Sequence, residues 1–188
     1  MKDRIIDVSR NLVLRYGVRG FTVDDICSQL GISKKTIYKH FQSKDEIISV
    51  IIDQHIHKDK ECTLERIALE KNLRDKLKAV LLNYYEYTIP LFVIDELRKS
   101  FPDEWKKIDS LFLFKQELFR QLISEGIAAG IIRRNIDIDV LMLMIHSTIK
   151  GLMDFDFLSK HDLQVMTVNR LIEKLESIIF HGICVTDQ

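Results

Sequence analysis

Apolar residues recur along this chain at three- and four-residue spacing almost throughout, which is the period of an α-helix. Ile5, Val8, Leu12 and Tyr16 make one such stripe and predict a helix over 3–16. Val23, Ile26, Cys27 and Leu30 repeat it over a shorter stretch. Thr22 stands ahead of that stretch as an N-cap, Asp25 supplies the acid of a capping box, and Phe21 is placed to staple against Ile26. Gly31 closes the helix, because glycine takes a positive φ without steric cost. Ser33 then caps a third helix whose inward face is Ile37 with Phe41, Ile32 and Ile37 standing at its two staple positions. Ser43 with Glu46 forms a second capping box and starts a fourth helix, expected to run to about residue 60.

Further helices are expected at 73–88, 90–99, 102–129, 137–158 and 162–181. Pro102 with Asp103 and Glu104 marks one start by its fixed φ and first-turn acids. Gly126 and Gly130 precede a turn, and Asp137 caps the apolar helix that follows. With 2 prolines, 7 glycines and no alternating strand pattern bounded by turns, the fold class is all-α.

Two short helices joined through Gly31, Ile32 and Ser33 have the turn length of a helix-turn-helix, and the second has a distinctive outer face. At about 100° per residue, Lys35 and Lys39 point away from Ile37 and Phe41, with Thr36, Tyr38 and His40 on the flanks. Every one of these can donate a hydrogen bond. Lysine suits guanine O6 and N7 or a phosphate, threonine a base edge or the thymine methyl, and a tyrosine hydroxyl a backbone oxygen. Any short helix has a solvated basic side, so Lys35 or Lys39 taken alone reads better as ordinary surface. Two caps, two staples and the glycine turn together point to double-stranded DNA. The candidate DNA-binding residues are Thr22, Ser33, Lys34, Lys35, Thr36, Tyr38, Lys39 and His40, with Lys44 beside the reading helix and within reach of phosphate.

The stretch from Arg4 to Ile52, and above all GISKKTIYKHFQSKDEII at 31–48, resembles the N-terminal domain of TetR-family (TetR/AcrR) transcriptional regulators. Tyr16 with Gly17, Thr22 with Val23, the Gly-Ile-Ser turn, Tyr38 with Phe41, and Lys44 all stand where that pattern places them. Cys27 replaces a usual alanine, and His40 stands where tyrosine or histidine is common. The resemblance implies an N-terminal three-helix bundle with the helix-turn-helix over 1–48, and a C-terminal helical ligand-binding and dimerisation domain over 49–188. It also implies a repressor. The mechanism that the resemblance implies is an exchange between two dimer forms, in which a bound ligand shifts the fourth helix so that the reading helices no longer match successive grooves.

Charge balances at 28 basic against 28 acidic residues, but residues 1–50 hold nine Lys and Arg against six Asp and Glu. That leaves +3 at the proposed reader and −3 in the remainder, a modest field that calls for two heads acting together and for salt-sensitive binding. No apolar run approaches the ~20 residues of a membrane span, and MKDRIIDVSRN is too charged for a signal peptide, so a cytoplasmic location is expected. The odd count of Cys27, Cys62 and Cys184 argues against a disulfide framework, while a redox switch at Cys62 or Cys184 stays open. His55 and His57 face opposite sides of a helix, so they form no metal site with Cys62. No cofactor, no catalytic residue and no enzyme activity are expected, for no nucleophile-base-acid set or phosphate-binding glycine loop occurs.

Along 137–158 and 162–181 apolar residues cover more than one helix face, as Leu141, Met144, Ile145 and Ile149 do in the first and Leu171, Leu175 and Ile178 in the second. A homodimer through these two helices buries them, and two-fold symmetry pairs two reading heads roughly 34 to 36 Å apart on a near-palindromic operator. Burial inside one subunit is the other way to cover them. Tyr84, Tyr85, Phe92, Trp105, Phe112 and Phe119, with Met142 and His146, are candidates to line a pocket for a small apolar or aromatic effector. Each alone equally fills a core. The expected function is a DNA-binding repressor released by that effector. The alternative is a helix-turn-helix protein without one, controlled by a protein partner or by its concentration.

Overall fold

The computed structural model describes residues 1–81, 89–152, 154, 160 and 178, and among these the chain is all-helical with no strand. The elements run α1 (Lys2–Tyr16), α2 (Val23–Leu30), α3 (Lys34–Tyr38), α4 (Lys44–Leu69), α5 (Leu73–Leu81), α6 (Leu91–Ser100), α7 (Pro102–Ala128) and α8 (Ile138–Leu152). The expected helix over 162–181 except for Ile178, the distal ends of those at 73–88 and 137–158, and Tyr84, Tyr85 and Cys184 lie outside the described residues.

Packing divides the chain into two units, one of residues 1–58 with 89–109 and one of 59–88 with 110–188. The expected boundary at 48/49 separates sequence-level roles. Packing instead draws its lines inside α4 and α7, and it adds α6 to the N-terminal helices.

In the first unit α1 buries Ile5, Ile6, Leu12 and Val13 against Ile26, Ile37, Phe41 and the start of α4. Fully burying a side chain such as Ile37 or Phe41 contributes about 1.5–3 kcal/mol, enough to seat a helix as short as α3, which could not hold itself in water. Tyr16 does not continue the α1 stripe. It is the last helical residue, and its ring is 46% exposed under the Arg15 guanidinium, 5.1 Å from the ring centroid, because the chain turns away at Gly17.

In the second unit Phe119, Leu122 and Ile123 of α7 pack with Leu77 and Val80 of α5 and with Leu141, Met142 and Ile145 of α8. Gly126 allows this approach, since a Cβ there would overlap the Leu73 and Ile132 side chains. The α7 end turns through Gly130 at φ 75°, with the Ile131 and Ile132 amides donating to the Gly126 carbonyl. Asp137 caps α8 as expected, its carboxylate accepting from the Asp139 and Val140 amides.

Helix α4 continues to Leu69, beyond the expected end near residue 60. Its second half has no simple apolar stripe. A polar cluster is buried there instead: the Asp59 carboxylate receives the Lys115 ammonium at 2.8 Å and the Thr63 hydroxyl at 3.3 Å, the side chains of the ion pair being 5% and 15% exposed. Lys60 lies over the Phe114 ring.

Candidate nucleic-acid interface

The helix-turn-helix is built from short-range hydrogen bonds. The Thr22 hydroxyl accepts from the Asp25 amide, and the Asp25 carboxylate accepts from both the Thr22 amide and hydroxyl at 2.7 Å, completing the capping box. Those bonds hold the Asp25 carboxyl below its ordinary pKa. Gly31 sits in the left-handed region at φ 65°, ψ 35°, and lets the Ile32 amide return to the Cys27 carbonyl. Ser33 accepts from the Thr36 amide, and the two hydroxyls are 3.1 Å apart. At 43–46 the box is shifted by one residue: Ser43 caps the Glu46 amide, while the Glu46 carboxylate takes the Gln42 amide.

Regular α3 ends at Tyr38, two residues before the expected reading surface does. The Phe41 amide still reaches the Ile37 carbonyl and the His40 amide donates to it as well, so Lys39 and His40 follow in a tight last turn. With Ile37 and Phe41 buried beneath, Ser33, Lys34, Lys35, Tyr38, Lys39 and His40 are exposed together, Thr36 is half-buried among them, and Thr22 is exposed at the start of α2. Among the described residues neither Lys35 nor Lys39 has a carboxylate partner. Lys34 does, since Asp24 of α2 lies 2.9 Å from its ammonium, raising the lysine pKa through that hydrogen bond.

Lys44 is placed differently from a free surface cation. Its ammonium donates to the Phe21 carbonyl at 2.6 Å and lies 4.2 Å from the centroid of the Phe21 ring. Burial pulls its pKa below the usual lysine value against the opposing charges of Asp45, Glu96 and Asp25. Lys44 thus braces the entry to α2, and only its remaining N–H groups face outward chemistry. Sequence reasoning missed Lys2, whose ammonium lies 5.4 Å from the Phe41 ring centroid and so brings an α1 cation beside the end of the reading helix. Its position at the basic start of the chain was the available signal.

The candidate pocket residues do not share one core. Phe119 and Met142 are fully buried in the second unit, where Phe112 and His146 are half-buried. Phe92, which is exposed, and Trp105, half-buried against the α1–α4 core, belong to the first unit. Cys27 packs half-buried beside the helix-turn-helix core and, like Cys62, is a free thiol. Among the described residues no group of His, Cys, Asp and Glu could hold a metal ion, and no helix is long and apolar enough to cross a membrane.

Residues 5–51 match the family described as bacterial regulatory proteins, tetR family. Along its whole length the chain is similar to an uncharacterised HTH-type transcriptional regulator, YvaF of Bacillus subtilis, at 26% identity over 193 residues covering 100% of this chain and 98% of that one. Its fold is similar to a transcriptional regulator from Saccharomonospora viridis solved with choline, with a TM-score of 0.78 at 18% identity and 98% coverage of both chains. It is also similar to the regulator FadR of Bacillus subtilis solved with stearoyl-CoA, with a TM-score of 0.71 at 21% identity over 97% of this chain and 99% of that one. A capped, glycine-turned pair of helices with a basic outer face, the family match over that pair, and regulators of similar fold along the full chain agree: residues 5–51 carry the N-terminal domain of the bacterial regulatory proteins of the tetR family, and the rest of the chain shares the fold of such regulators.

Proposed function

We propose that this regulator is a homodimeric repressor that binds a near-palindromic DNA operator and is released by a small apolar effector. The observation that carries the DNA half is the α3 surface: Ile37 is buried, and Lys35, Tyr38, Lys39 and His40 stand exposed on the other side. In this reading Lys35, Thr36 and Lys39 enter the major groove and meet base edges. Thr22, Ser33, Lys34, Tyr38, His40 and Lys44 contact the phosphate backbone and fix the register. Lys34 exchanges Asp24 for phosphate on binding, at little cost because exposed ion pairs contribute about 0–1 kcal/mol.

Dimerisation is supported by α8, where Val140, Leu143 and Met144 lie on one face at i, i+3 and i+4 and are all more than half exposed. The second helix of the proposed interface, 162–181, lies outside the described residues except for Ile178, which is exposed. An apolar effector is supported by the aromatic and methionine content of the second unit's core, Phe119 and Met142 among it, and by the stearoyl-CoA bound to the related fold. Release requires that the effector favour the non-matching dimer. Shifting the population from 1:99 to 99:1 takes about 10⁴-fold differential affinity, in which α4, continuous from the reading head to Leu69, acts as the lever.

The test is a gel shift of the full chain on the DNA upstream of its own coding region, over a salt series and with stoichiometry measured, followed by titration of stearoyl-CoA into the complex. Saturable, salt-sensitive binding of a dimer supports the operator reading, and release by the acyl-CoA supports an effector of that class. A complex that neither this nor a panel of apolar compounds releases favours control by concentration or a protein partner. Failure to select any duplex from random sequence rejects the DNA reading.

A further inference from the structure

We propose that Glu96 of α6 is a positioning residue that holds the turn between α1 and α2, and through it the reading head, in the DNA-matching shape; this rests on the DNA reading above. One carboxylate oxygen of Glu96 accepts from the Val18 amide at 2.6 Å and from the Arg19 amide at 3.2 Å. Val18 has no exposed surface, so its amide has no solvent to turn to if that oxygen leaves. The preceding Gly17 lies at φ 83°, ψ 174°, and a Cβ on it would stand 2.5 Å from the same oxygen. The glycine, the two successive amides and the carboxylate make one anion nest whose anion comes from within the chain.

The partner is 78 residues away from Val18, so this is a tertiary device. On either side of Glu96, Val93 and Leu97 are buried in the α1–α4 core, and they seat α6 so that Glu96 meets the turn. At the far end of the same turn Lys44 of α4 takes the Phe21 carbonyl. The backbone from Gly17 to Phe21 is therefore gripped by a carboxylate from α6 and an ammonium from α4, and Thr22 follows at once as the N-cap of α2. A shift of α6 withdraws the anion, reorients the entry to α2 and moves α3 with it. The head then senses α6 through Glu96 as well as α4 through its own helix.

The experiment compares wild-type full chain with Glu96→Ala and Glu96→Gln. Amide hydrogen exchange is followed in the free protein, and affinity is measured for a duplex recovered by random-sequence selection with the wild type. We expect the Val18 amide to exchange at least roughly tenfold faster in Glu96→Ala, with Ile26 and Ile37 unchanged. We expect duplex affinity to fall about tenfold, and the glutamine variant, whose amide oxygen can still accept, to lie between. Unchanged exchange at Val18 overturns the proposal, as does acceleration spread evenly over α1–α3, which is simple destabilisation. Local acceleration with full duplex affinity overturns the positioning role. A wild-type chain that selects no duplex defeats the regulator reading and the DNA half of the proposal, while exchange still shows whether Glu96 holds the turn.

Discussion

Gly17 and Gly31 both have positive φ, but only one of them faces another side chain, so substituting each by alanine separates backbone strain from the loss of the Glu96 clamp. At Gly31, φ 65°, ψ 35°, an added Cβ meets nothing within 4 Å. Gly31→Ala should therefore cost the left-handed backbone penalty alone, about 1–2 kcal/mol. At Gly17, φ 83°, ψ 174°, the backbone region is nearly exclusive to glycine and costs about 1–3 kcal/mol for alanine. The new methyl also meets Glu96 Oε2 at 2.5 Å, Oε1 at 2.8 Å and Cδ at 2.9 Å. A carboxylate at the end of a flexible side chain swings away cheaply, so the clash itself is minor. What is lost is its pair of bonds to Val18 and Arg19, about 1.5–3 kcal/mol for hydrogen bonds to a charged group. Gly17→Ala should accordingly cost about 2.5–6 kcal/mol in the wild-type background and only the backbone part, about 1–3 kcal/mol, when Glu96 is already alanine. Urea unfolding at one fixed protein concentration reads this, with fluorescence of the single tryptophan, Trp105, reporting the unit it packs in. Equal costs for the two glycines, or a Gly17→Ala cost that Glu96→Ala leaves undiminished, would refute the reasoning.

Asp59→Ala strands the buried Lys115 ammonium and should destabilise by about 3–5 kcal/mol, whereas replacing both by Asn and Met should cost much less; a double-mutant cycle in urea measures the difference. The Asp25 carboxyl is held below the ordinary 3.8 by its Thr22 bonds, so its stabilising effect is complete above that value and is lost as pH falls through the lower folded value. Asp25→Asn should flatten that part of the acid limb when urea midpoints are compared between about pH 5 and about pH 2. Lys39→Ala should change which duplex is preferred, by about 1–3 kcal/mol of discrimination, while Lys44→Ala should weaken all duplexes alike and lower the salt slope by about 1. Lys44→Ala should also lower the melting temperature, because it frees the Phe21 carbonyl; a melt unchanged from wild type would mean that the brace contributes nothing.

The reading head was legible because the interactions that define it span three to six residues. Thr22 with Asp25, Ser33 with Thr36, Ser43 with Glu46 and the glycine turn at Gly31 are written into neighbouring positions, and the structure forms each of them, with a one-residue shift at Glu46. The outward face of Lys35 and Lys39 was equally legible, since burying Ile37 and Phe41 leaves it no other direction. The reach of α4 to Leu69 was not, because Asp59 and Thr63 read as surface residues until Lys115 covers them from α7. Nor could spacing show that Phe92 and Trp105 belong with the DNA head while Phe119 and Met142 form the other core.

What the sequence alone determined is the helical class, the capped pair of helices and the basic face of α3, all consequences of backbone preference, local capping and one apolar period. Only the tertiary structure decided that Lys44 turns inward to Phe21, that Glu96 occupies the nest at Val18 and Arg19, and that Asp59 is paired inside a core. The physical reason is range. A cap finds its donor within a turn of chain, but a charge meets whichever partner the packing of distant apolar faces brings to it, and no local pattern records that meeting.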